Sequence, residues 1–62
     1  MKTKGFLIFQ DRRLQWRWTL IARNGRIVAD SGEGYASKAH AKRAVASTRR
    51  IAATAAVTED GQ

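Results

Sequence analysis

Hydrophobic alternation is clearest between Gln15 and Ala22. There Trp16, Trp18, Leu20 and Ala22 fall on one side and Arg17, Thr19 and Ile21 on the other. A period of two predicts a half-buried strand with one face on a core. Upstream, Gly5 to Gln10 is a short apolar run with aromatic and β-branched side chains, closed by Asp11-Arg12-Arg13. It reads as a strand followed by a turn. Downstream, Arg23-Asn24-Gly25-Arg26 carries a hairpin signal, because Asn-Gly tolerates the positive φ of a type I′ turn. Arg26 to Asp30 then reads as a third strand, and the three make an antiparallel meander.

The period changes after Ser31-Gly32-Glu33-Gly34. Tyr35 follows, and Ser37 is an N-cap residue placed just before an alanine-rich stretch without Gly or Pro. This predicts a helix from about Lys38 to Arg50, with enough propensity in Ile51 to Val57 to run on. Ala41, Ala44, Val45, Thr48 and Ile51 or Ala52 recur at helical spacing and form a narrow face of small residues suited to lie on the sheet. Lys42, Arg43, Arg49 and Arg50 cover much of the remainder, with Arg49 and Arg50 placed to suit the helix dipole in a last turn. The expected fold is α+β, a three-stranded antiparallel β-meander followed by one α-helix. One domain spans residues 1–57, and 58–62 form a frayed polar tail.

Chain length changes this picture. A domain of 62 residues buries only about 60% of the surface that its unfolded chain exposes, so a lone core is marginal. Cysteine is absent and His40 is the sole histidine, which removes disulfides and leaves no ligand set for a structural zinc. No metal or cofactor is expected. Self-association is the remaining remedy, and a homodimer is the expected state. No apolar run approaches the roughly 18 residues of a membrane span. Only Gly5 to Phe9 follows the basic start, too short for a secretory signal, so the expected location is cytoplasmic.

Charge narrows the partner. The formal net charge is +7, and only Glu59 and Asp60 are charged beyond Arg50. A small protein with such a field attracts polyanions, of which nucleic acid is the commonest in a cytoplasm. The same charge also serves solubility.

The residues from Phe6 onward resemble those of the YegP-type family, small bacterial and archaeal proteins of unknown function. The resemblance rests on Phe6, Ile8, Phe9 and Asp11, then Trp16, Arg17, Trp18 and Leu20. It continues through Asn24-Gly25, Ile27-Val28-Ala29, the loop Ser31-Gly32-Glu33-Gly34-Tyr35, and Ser37-Lys38 with Ala41 and Val45. It covers about residues 5 to 50. It implies a β-β-β-α unit, present twice in one chain or once per chain in a homodimer, and so a dimer here. The chain departs from the pattern at Arg12-Arg13-Leu14-Gln15, where a Gly-containing turn is more usual, and in its alanine-rich extension. The family has no settled activity, so the resemblance implies an architecture and no catalytic residue.

The candidate chemistry is sparse. Asp11, Asp30, Glu33, Glu59 and Asp60 form no close sequence pair with His40, and no serine has a recognisable base or oxyanion loop, so an enzyme is not expected. Gly32, Glu33, Gly34, Tyr35 and Ser37 precede a helix start, where backbone donors bind anions. The spacing is not that of a Walker loop. A structural crossover, with Glu33 capping or pairing with an arginine, is the competing reading. Trp16 and Trp18 read as core or interface, or as a platform for unpaired bases. His40 reads as solvated.

Arg12, Arg17 and Arg26 would form a basic surface if the second sheet face is open. The same architecture, by fold-level analogy only, belongs to the plant ethylene-response DNA-binding domain and to phage integrase arm-binding domains, which lay arginines of the sheet in the major groove. A short basic chain suits a phage gene as well as a cellular one. The expected function is a homodimeric, non-enzymatic binding module that contacts nucleic acid through Arg12, Arg13, Arg17, Arg26, Lys38, Lys42 and Arg43. The alternative is a dimer that binds a protein or sequesters a small anion or nucleotide near Gly32 to Ser37, in a closed pocket between protomers ringed by Arg17, Tyr35 and Lys38.

Overall fold

The computed structural model describes residues 4–59. Three strands, β1 (Gly5–Gln10), β2 (Trp16–Ile21) and β3 (Ile27–Asp30), form one antiparallel sheet in the order β1-β2-β3. Helix α1 (Lys38–Thr54) follows. The meander and the helix stand as the alternation and the N-cap predict, while β2 and β3 are trimmed by a residue or two at their ends.

Register explains which side of the sheet carries the core. Phe6 pairs with Leu20, Ile8 with Trp18 and Gln10 with Trp16. These residues share one face with Ala29, which pairs with Leu20. Helix α1 lies on this face over β1 and β2, and leaves β3 uncovered. Trp18 is 7% exposed, and Phe6 meets it edge-on with ring centroids 5.3 Å apart. Ala41 is wholly buried, and its small side chain suits a helix lying close over β1 and β2. Trp18 and Ala41 are the buried hydrophobic residues among those described; the rest of the core is half-buried.

The helix corrects two expectations. It continues to Thr54, since no Gly or Pro interrupts the alanine run, so Arg49 and Arg50 lie before the last turn and that turn holds no basic residue. Ile51 is 61% exposed and Ala52 is also exposed. A 17-residue helix is about 25 Å long, whereas six-residue strands reach about 20 Å, so its end overhangs the sheet. Of the expected frayed tail, Thr58 and Glu59 are exposed and residues 60–62 lie outside the described region.

Both hairpins close with the same turn. In the first, the Asp11 N–H donates to the Gln15 carbonyl (2.8 Å) and the Leu14 N–H to the Asp11 carbonyl (3.0 Å). In the second, the Ala22 N–H donates to the Arg26 carbonyl (2.8 Å) and the Gly25 N–H to the Ala22 carbonyl (2.9 Å). Each is a three-residue loop whose last residue is left-handed, Leu14 at φ 67° and Gly25 at φ 86°. The expected type I′ turn at Asn24-Gly25 is thus replaced. Asn24 keeps a negative φ and uses its Oδ1 to accept from the Arg26 N–H at 3.0 Å.

Candidate nucleic-acid interface

The sequence-predicted cations separate into three environments. Arg17 lies on the face opposite the helix, since it pairs with Phe9, and its Nε donates to Asp11 Oδ2 at 2.6 Å. The same carboxylate accepts from the backbone N–H groups of Arg13 (2.8 Å) and Gln15 (3.0 Å) through Oδ1. The Arg17 hydrogen bond, then the Gln15 bond, hold the Asp11 carboxyl below its ordinary range. Arg17 is thus paired with an acid through its Nε, unlike the other cations of the described residues. Arg12 and Arg13 are exposed in the first turn, at the end of the sheet opposite the turn that precedes Arg26. Arg12, Arg17 and Arg26 therefore do not gather into a basic sheet surface.

The free cations concentrate on α1. Lys38, Lys42, Arg43, Arg49 and Arg50 are all exposed, and no acidic residue occurs between Glu33 and Glu59. At 100° per residue, Lys38, Lys42 and Arg49 share one row and Arg43 with Arg50 another, with Ala39, Ala46 and Ala53 between them. Among the described residues the Arg17–Asp11 contact is the one ion pair, so none of these five has an acidic partner there. Lys38 additionally places its ammonium 5.6 Å from the Trp16 ring centroid. Periodicity places Arg49 and Arg50 on the helix without marking them as ligands; the absence of acids along the helix is the sequence signal that includes them.

The loop from Gly32 to Ser37 is occupied with holding the chain together. Trp16 and Tyr35 exchange two backbone hydrogen bonds of 2.8 Å, and the Ser31 N–H donates to the Trp18 carbonyl at 2.9 Å. The Ser31 hydroxyl donates to the Glu33 carbonyl at 2.9 Å. Ser37 Oγ accepts from the His40 N–H at 3.1 Å, as an N-cap should. A Cβ on Gly34 would overlap the Gln15 side chain, so glycine here permits the close approach of loop and turn. Gly32 and Glu33 are exposed, and Glu33 makes no ion pair among the described residues, contrary to the expected arginine partner. The Tyr35 ring lies against His40, with centroids 5.1 Å apart.

Within one chain, Arg17, Tyr35 and Lys38 do not ring a pocket among the described residues. Arg17 and Lys38 lie on opposite sides of the sheet, and the described residues enclose no cavity. No group of three or more potential metal ligands occurs among the described residues, and no helix there is long and apolar enough to cross a membrane.

The model of a family described as a domain of unknown function, DUF1508, matches residues 11–59. The chain belongs to this family, the YegP-type group to which its residues point. A Haloferax volcanii protein of the same fold, with a solution structure determined by NMR, is 47% identical. The alignment covers 97% of this chain and 100% of the other, with a TM-score of 0.80. No curated protein matches the chain. Family membership thus brings a fold and no assigned activity.

Proposed function

We propose that this DUF1508 domain is a non-enzymatic, homodimeric, cytoplasmic module that binds nucleic acid through the outer face of α1. The observation that carries the reading is the run of five exposed cations from Lys38 to Arg50 with no acidic partner among the described residues. Over about 18 Å of helix, such a run neutralises phosphates with little reading of sequence. The described acids offer little for catalysis: Asp11 is held by Arg17, and Asp30, Glu33 and Glu59 make no ion pair in the described region. A small-anion site at Gly32 to Ser37 has less support, because the Ser31 and Ser37 hydroxyls already serve the loop and the helix cap.

The test is a fluorescence-anisotropy titration of labelled single- and double-stranded DNA and RNA over a range of salt concentrations. Affinity is expected to fall steeply with salt. Replacing Lys42, Arg43 and Arg49 together by alanine is expected to flatten the slope by up to about 0.9 per lost contact on duplex DNA. No binding at low salt would reduce the helix charge to a solubility device.

A further inference from the structure

Four side chains at the start of α1 form a cluster that the run of cations does not account for. Trp16 and Tyr35 exchange both backbone hydrogen bonds of an antiparallel bridge, so their side chains stand next to each other on the helix side of the sheet. Both are half-buried. His40 is exposed and meets the Tyr35 ring with centroids 5.1 Å apart and planes inclined by 39°. Lys38 covers Trp16 instead, its ammonium 5.6 Å from the ring centroid.

Helix geometry assigns these contacts to different flanks. At about 100° per residue, Lys38 and His40 leave the helix about 160° apart, with the buried Ala41 between them. Trp16 therefore heads the row of Lys38, Lys42 and Arg49, while the Tyr35–His40 pair heads the flank that carries Arg43 and Arg50. On the second flank the outermost ring is the exposed imidazole of His40, which makes no hydrogen bond among the described residues. Only its backbone N–H is used, in the Ser37 cap at 3.1 Å. The loop does not depend on these rings either, since the bridge to Trp16 is made by the Tyr35 backbone.

We propose that the Tyr35–His40 pair is a stacking platform for one unpaired base, with Arg43 on an adjoining phosphate, so that the module prefers single-stranded nucleic acid to duplex. The inference rests on the nucleic-acid reading above and names the class of nucleic acid. Arg43 lies three positions beyond His40, about 4.5 Å along the helix axis on a neighbouring row, where a phosphate of the stacked nucleotide can reach it. Stacking accepts every base, because each has a π-face, and so agrees with a cation run that reads little sequence. A flat platform needs no cavity, and the described residues enclose none. The preference for single strands is opposite to what charge alone dictates. A duplex presents one phosphate per about 1.7 Å of axis, so a purely electrostatic surface binds it more tightly than a single strand.

The experiment uses the full chain and three labelled DNAs of equal length: a single strand, the same strand in a duplex, and a single strand with abasic sites in place of its bases. Wild type is expected to bind the single strand more tightly than the duplex, and about fivefold or more tighter than the abasic strand. His40→Ala is expected to weaken single-strand binding about fivefold or more, by the same factor at every salt concentration, because stacking releases no counterions. His40→Phe, which keeps a ring and carries no charge, is expected to restore the affinity. Arg43→Ala is expected instead to flatten the salt slope on the single strand by about 0.7. Far-UV circular dichroism checks the folding of each variant, and the abasic comparison on wild type decides alone if His40→Ala does not fold. Equal affinity for the single strand and its abasic counterpart would overturn the platform and leave the nucleic-acid reading standing. A duplex bound as tightly as the single strand, or a His40→Ala protein that binds the single strand like wild type, would do the same. Absence of binding to all three DNAs at low salt overturns the nucleic-acid reading and the platform with it.

Discussion

The two hairpins of the meander solve one geometric problem with different chemistry. Each turn needs its third loop residue in the left-handed region. The second turn supplies Gly25, for which that region carries no steric cost, while the first supplies Leu14, whose Cβ crowds the following carbonyl at about 1–2 kcal/mol. What offsets the strain is next door. Asp11 receives two backbone N–H groups of its own turn and the Arg17 guanidinium from the neighbouring strand. Asn24 in the second turn receives one backbone N–H. The comparison teaches that a turn can be specified by the residue that adopts the difficult conformation or by a side chain that gathers the backbone around it.

Removing the gathering side chain gives the largest expected effect. Asp11→Ala is expected to lower the Tm on the order of 10 °C in a thermal melt, because three donors lose their acceptor at once. The same carboxylate predicts a pH dependence. Its folded-state pKa is lowered, so its contribution is fully present above the unfolded value near 4 and is lost as the pH falls through the folded value. Stability therefore rises with pH across that acidic window, and Asp11→Asn is expected to flatten the rise. Gly25→Ala comes next, at about 1 kcal/mol of destabilisation in a denaturant titration, because alanine must enter the left-handed region without a carboxylate beside it. Leu14→Gly is the smallest and has the opposite sign. Relief of strain exceeds the entropy that glycine loses by about 0.5 kcal/mol, so the first turn gains stability where the second loses it.

These turns also mark the limit of what the sequence discloses. Asn-Gly suits more than one tight turn, and the choice depends on which backbone groups pair at Ala22 and Arg26. The N-cap at Ser37 and the alternation through Trp16, Trp18 and Leu20 are local signals, so the element order was legible from them. The helix end was less so, because Ile51 to Ala56 contains no residue that stops a helix. In the sequence Arg17 reads as a free cation, because its carboxylate lies six positions away. Folding β1 onto β2 about Arg12 to Leu14 brings the two together, as the pairing of Phe9 with Arg17 implies. The open sheet face had a signal as well: Phe6, Leu7, Ile8 and Phe9 are apolar without alternation, which marks a strand apolar on both sides. The helix cations were legible individually, but their isolation from acids emerges only when the ion pairs of the fold are known.

The sorting of charge gives the molecule two unlike sides. The helix surface is cationic and lacks acidic partners in the described region, while the opposite sheet face is apolar and nearly neutral.

The two tryptophans turn this arrangement into an optical instrument. Trp18 is shut between Phe6 and the helix with its indole N–H unpaired, so its emission reports whether the layers have separated. Trp16 is partly exposed beneath the Lys38 ammonium, so a phosphate that draws Lys38 away changes the field on its ring while the layers stay together. With Trp16→Phe and Trp18→Phe as single-colour versions, unfolding and ligand capture become separable by wavelength and quenching, without any attached dye.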